Sequence, residues 1–186
     1  MIRFKNKILK DYFIDPSTAI ITDRDGNIQE IHISAGRPTI KVEPNRQFRD
    51  KIVLAKTSRY CNVFLDWTIL KPFAKDIIMV GLEEEWKDFC SQYCKVDFYK
   101  CKDALDAAQM IAGAKFMIAN QCGLYSLAEQ MKTPRILTTA EFISINHKDA
   151  GWITVPGPCN VIAQGGKAAM VGTTAKFSAT LEEFTR

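Results

Sequence analysis

Lys115-Phe116-Met117-Ile118-Ala119-Asn120-Gln121-Cys122-Gly123-Leu124-Tyr125-Ser126-Leu127-Ala128-Glu129 is the stretch that decides the fold. A short apolar run gives way to a polar turn containing one glycine, and the turn passes directly into apolar residues at helical spacing. A run that is apolar at every position reads as a strand buried on both faces, which is the habit of parallel sheets. A helix that starts straight from such a strand exposes N–H groups with no partner inside the helix, and these can hold phosphate oxygens. An ordinary strand-to-helix turn uses the same residues, so spacing alone leaves both readings open.

The same alternation repeats on either side of this stretch. Lys51 to Ala55 and Asp76 to Val80 are apolar strand runs, the second ending in Gly81. A short helix is expected around Val63 to Phe73, and a longer one from Glu83 to Tyr93, where Trp86, Phe89, Cys90 and Tyr93 share a face. Val96 to Tyr99 is a further strand. Asp103 is placed to cap a helix running to Ala112, and Pro134 introduces a last strand at Arg135 to Leu137. Strands alternating with helices at this spacing imply an α/β fold: a Rossmann-like parallel sheet flanked by helices and joined by right-handed crossovers. Glu141 to Gly172 reads as loop, and Thr180 to Arg186 as a polar helical tail.

The front of the chain differs. Ala19 to Thr22 and Ile28 to Ile33 are β-rich runs around the turn residues Asp23 to Asn27, so residues 1–45 are expected to form a β-hairpin module and 46–186 the Rossmann-like domain, with the boundary near Pro44.

The chain has 186 residues, 47% hydrophobic and 25% charged, which suits one ordinary domain with a sizeable core but not two full Rossmann-like domains. No run of about 18 apolar residues occurs, and the basic start Met1 to Lys7 has no apolar stretch behind it. Neither a membrane span nor a signal peptide is expected, and a cytoplasmic location follows. Without an export signal the six cysteines are expected as free thiols; Cys90 and Cys94 sit at helical spacing, no paired thiol motif is present, and no metal site is expected. The net charge of +4 is mild and its positives are scattered, so nucleic acid is not an expected partner.

In an open parallel sheet, ligands sit beyond the carboxyl ends of the strands, so the segments after each strand are the candidate site. Lys56, Thr57, Ser58 and Arg59 offer two cations and two hydroxyls where a diphosphate could be received. Gly81 permits a tight turn, and Glu83 and Glu85 either match the positive end of the following helix or take hydroxyls of a ribose or sugar. Gln121, Cys122, Gly123 and Ser126 belong to the turn that opens the next helix.

The succession from Asp103 to Leu137, together with Lys51 to Arg59, Met79 to Gly81 and the segment around Asn160 to Gly166, resembles the C-terminal half of heptosyltransferase-like glycosyltransferases of the GT-B class. The similarity covers about 125 residues, from Lys51 to Phe177. It implies a domain that binds a nucleoside diphosphate sugar. Carried over by position, Gln121, Cys122, Gly123 and Ser126 face the donor diphosphate, the loop from Lys56 to Arg59 adds positive charge, and Gly81, Glu83 and Glu85 lie near the nucleoside. The family has an acid and a histidine at this turn; here they are Gln121 and Ser126, which hydrogen-bond but do not shuttle protons near neutral pH. No catalytic residue is assigned, and neither a metal nor an organic cofactor is required.

The family's N-terminal acceptor domain has no counterpart in the sequence. Asp11 to Gln29 and Gly36 to Pro38 resemble instead the leading hairpin of phage-type HNH endonucleases, without that family's metal-binding core, since His32 and His147 are isolated. The expectation is thus a glycosyltransferase or its donor-binding half, completed by a partner or as a homo-oligomer. A nucleotide-binding module without chemistry is the alternative, and a nucleic-acid contact through the hairpin is a third.

Overall fold

The computed structural model describes residues 18–22, 28–32, 38, 40–58, 61–120, 122–138 and 166–186. β1 (Thr18–Thr22) and β2 (Ile28–His32) pair antiparallel, Thr18 opposite His32 and Thr22 opposite Ile28, which is the hairpin the spacing predicts.

The other strands form one six-stranded sheet: β3 (Ile52–Ala55), β4 (Ile77–Val80), β5 (Asp97–Tyr99), β6 (Phe116–Ala119), β7 (Arg135–Thr138) and β8 (Ala168–Val171). Every pairing in it is parallel. The spatial order is β5-β4-β3-β6-β7-β8, so the chain starts in the middle, walks to one edge, returns and walks to the other. Numbered within the sheet this is the 3-2-1-4-5-6 order of doubly wound Rossmann-like folds.

The strands are short and apolar because both faces are covered. All four residues of β3, β4, β6 and β7 are buried. On one face Ile52, Leu54, Ile77, Met79, Phe116 and Ile118 pack under Trp67 and Leu70 of the 3-10 segment Trp67–Phe73, under Phe89 of α1 (Glu83–Gln92), and under Phe177, Leu181 and Phe184 of α4 (Thr174–Thr185). On the other face Val53, Ala55, Ile78, Val80, Met117 and Ala119 meet α2 (Ala104–Gly113) through Met110 and Ile111, and α3 (Gly123–Met131) through Tyr125 and Ala128. The connections toward β5 thus use one face and those from β5 to β7 the other, as right-handed crossovers require.

Local chemistry explains the ends of the elements. Asp103 caps α2, its carboxylate accepting the Asp106 N–H at 2.8 Å. Asp66 does the same for the 3-10 segment through Thr68. Residues 40–48 run across α2 and α3: Ile40 N–H donates to Gln130 O, Asn45 N–H donates to Gln109 O at 2.9 Å, and Phe48 is buried in the core.

Two expectations are corrected. The segment read as loop to Gly172 contains β8, whose Ala168 and Ala169 carry little strand preference and are held by pairing with Arg135 and Ile136. The terminal helix begins at Thr174, not Thr180, with the Thr173 hydroxyl accepting the Lys176 N–H. Among the described residues no helix is long and apolar enough to cross a membrane.

Candidate functional site

In this strand order the connections leave in opposite directions from β3 and β6, which lie side by side in register from Ile52 and Phe116 to Ala55 and Ala119. Their carboxyl ends therefore flank the point where doubly wound sheets open a crevice. Of the two segments singled out above, the described residues 56–58 and 120 with 122–126 follow these two ends.

A side chain that the sequence reading left in the turn joins them. Asn120, fully buried, accepts the Thr57 N–H at 2.9 Å and donates from Nδ2 to Thr57 O at 3.1 Å and Thr57 Oγ1 at 3.0 Å. Its own N–H donates to Ala55 O. Asn120 thus extends the β3–β6 ladder by one residue with its side chain. Its only advance signal is the position directly after an apolar run, where a buried amide must find partners.

Cys122 is the N-cap of α3 with extended backbone, and its own side chain makes no capping hydrogen bond. The first intrahelical bond runs from Ser126 N–H to Cys122 O. The N–H groups of Gly123 and Leu124 have no acceptor among the described residues. Gly123 is exposed and does not have positive φ; a Cβ added there would meet nothing within 4 Å. The glycine therefore does not serve the turn's conformation. It leaves the helix start open to close approach. Ser126 Oγ turns back to Cys122 O at 3.5 Å, and Gln121 lies outside the described residues.

The described residues of the loop after β3 make contacts within the protein. Lys56 Nζ stands 5.5 Å from the centroid of Tyr93. It also lies beside Cys61, whose thiol is pushed up by burial against the opposing pull of that ammonium. The Ser58 N–H donates to Glu85 Oε1 at 3.0 Å. Arg59 lies outside the described residues.

At the end of β4, Gly81 has φ +142°, which favours glycine, and Glu85 Oε2 accepts the Leu82 N–H at 3.4 Å. Glu83 pairs with Lys87 at 2.7 Å, one turn along α1, which holds its carboxyl below the usual range. Glu85 thus bridges the loops after β3 and β4, whereas Glu83 serves its own helix.

After β5, the Asp106 carboxylate accepts the Lys102 N–H at 2.9 Å and the Tyr99 hydroxyl at 3.0 Å, which lowers the acid and raises the phenol. Burial first, then Asp106 and Asp103, push the Cys101 thiol up to about 11. At pH 8 Cys101 is expected to alkylate with iodoacetamide far more slowly in the folded chain than in urea, followed by peptide mass spectrometry; equal rates would contradict its protected state. A raised folded pKa stabilises the chain below about pH 9, and that contribution fades as pH climbs through 11.

The described cysteines Cys61, Cys90, Cys94, Cys101 and Cys122 are free thiols, and no group of three metal-ligating side chains occurs among the described residues. The chain matches no protein-family model, no curated protein and no solved structure.

Proposed function

We propose that the chain binds a nucleoside diphosphate sugar across the carboxyl ends of β3 and β6, with the diphosphate at the start of α3 and the nucleoside toward Gly81 and Glu85. The observation that carries this reading is the reversal of strand order between β3 and β6, with Asn120 holding their two exits together beside the start of α3, where a Cβ added at Gly123 would meet nothing within 4 Å. Amides at a helix start suit phosphate oxygens because their partial positive charge is already oriented and water need not be reorganised. The nature of the ligand rests on the resemblance of residues 51–177 to the donor half of heptosyltransferase-like enzymes.

Binding without transfer is the reading we favour over a working transferase. Gln121 and Ser126 stand where the resembled family has an acid and a histidine, and Lys56 has its ammonium over Tyr93. Neither amide nor hydroxyl can trade protons near neutral pH.

The test is calorimetric titration of the full chain with uridine, guanosine and adenosine diphosphates and their sugar conjugates, repeated with Gly123→Glu. The variant's fold is expected to be intact, since a Cβ there meets open space and a carboxylate suits a helix start. Its diphosphate affinity is expected to fall at least about ten-fold, because the added charge occupies the ligand's place. Absence of binding by the unmodified chain, or equal binding by Gly123→Glu, would refute the site. Slow hydrolysis of a bound sugar nucleotide would favour the transferase instead.

A further inference from the structure

Two backbone N–H groups from different strand exits converge on one carboxylate. Ser58, just past β3, donates to Glu85 Oε1 at 3.0 Å; Leu82, just past β4, donates to Glu85 Oε2 at 3.4 Å. Gly81 shapes the same space, since a Cβ on it would lie 3.3 Å from Oε2. The next amide back, that of Thr57, is already taken by Asn120. The loop after the first strand of the sheet is where a doubly wound fold commonly offers amides to a ligand's phosphates. Here its exposed Ser58 amide points at an anion that belongs to the protein.

We infer that Glu85 is an internal competitor for the ligand: its carboxylate holds the Ser58 amide, and a diphosphate must displace it to reach that amide. The inference rests on the proposed diphosphate site and adds to it a device that sets affinity. The chemistry is direct. Carboxylate and phosphate are both anionic acceptors for the same N–H, and two anions cannot share one donor without strong repulsion. The same contact holds Ser58 against α1. Selection would then favour ligands with enough charge to win the exchange, a diphosphate over a monophosphate.

The probe is inorganic pyrophosphate, titrated into the full chain by calorimetry and followed at the Ser58 and Gly123 amides by nitrogen-proton correlation spectra. Glu85→Gln keeps one acceptor but loses the charge, and its affinity is expected to rise roughly five-fold. Glu84→Gln is the control: it makes the same charge change on an exposed neighbour, and is expected to alter affinity less than about two-fold. In the unmodified chain pyrophosphate is expected to move the Ser58 amide together with that of Gly123, a readout that does not depend on how any variant folds. Binding in which Gly123 moves and Ser58 does not would overturn the inference and leave the site standing, as would no gain, or a loss, in Glu85→Gln. Failure of every form to bind pyrophosphate would overturn both the inference and the diphosphate site.

Discussion

Glu129→Ala is expected to lower the unfolding free energy by about 3–5 kcal/mol, because it removes the anion at the centre of a buried ion cluster. Glu129 lies on α3 with 4% exposure and receives Arg135 Nε at 2.5 Å and Lys132 Nζ at 2.7 Å. Arg135 opens β7, is fully buried, and also donates Nη1 to Thr133 O at 3.0 Å. The cluster fixes the turn from α3 into β7, where Lys132 takes the left-handed conformation, φ 58°, that ends the helix. Without the carboxylate the buried guanidinium loses the anion that its Nε contacts. Glu129→Leu combined with Arg135→Met is expected to recover most of the loss, since well-packed apolar replacements avoid the desolvation cost of both charges. Urea unfolding of the single and double variants measures this. A loss below about 1 kcal/mol in Glu129→Ala would mean that the cluster does not hold the charge it is credited with.

Gly113→Ala is expected to cost about 2–3 kcal/mol, although alanine is the better helix former. Gly113 closes α2, and a Cβ there would stand 2.1 Å from Asn45 O and 2.7 Å from Asn45 C. Both are backbone atoms, so no side-chain rotation relieves the clash. The segment would have to lift off α2, breaking the Asn45 N–H bond to Gln109 O and loosening Phe48. Gly123→Ala is the matched control, because its Cβ meets open space and its stability is expected to change by less than about 0.5 kcal/mol. Similar urea midpoints for the two variants would show that the approach of Asn45 to α2 is not tight in solution.

The two glycines also show where sequence reading runs out. Gly123 stands in the sequence between an apolar strand run and a helical pattern, and α3 starts at it. Its conformation does not need glycine. Gly113 stands at the end of a helical pattern, yet it lies against a backbone 68 positions earlier in the chain. Proximity across such a separation leaves no local trace.

The strands from Ile52 to Leu137, the helices between them and the Asp103 cap were legible because each depends on its own apolar run or on partners within a few residues. The same dependence explains the misses. β8 is alanine-rich and exists through its pairing with β7, and the first turns of α4 alternate the helix formers Ala175, Lys176 and Ala179 with Thr174, Ser178 and Thr180 and are anchored by Phe177 in the core. The contact of Lys56 Nζ with the Tyr93 ring is likewise not visible in the sequence, because it joins the residue after β3 to the end of α1.

Local patterning by itself determined that this chain builds a parallel α/β sheet, and it pointed to residues 56–59 and 120–126 as strand exits. Only the tertiary structure decided that β3 and β6 are neighbours, that Asn120 clasps Thr57, and that Glu85 holds the Ser58 amide. Apolar periodicity reports which surfaces a segment must bury, a property of the segment alone; which strand lies beside which, and which polar atom meets which, follows from packing all the segments at once.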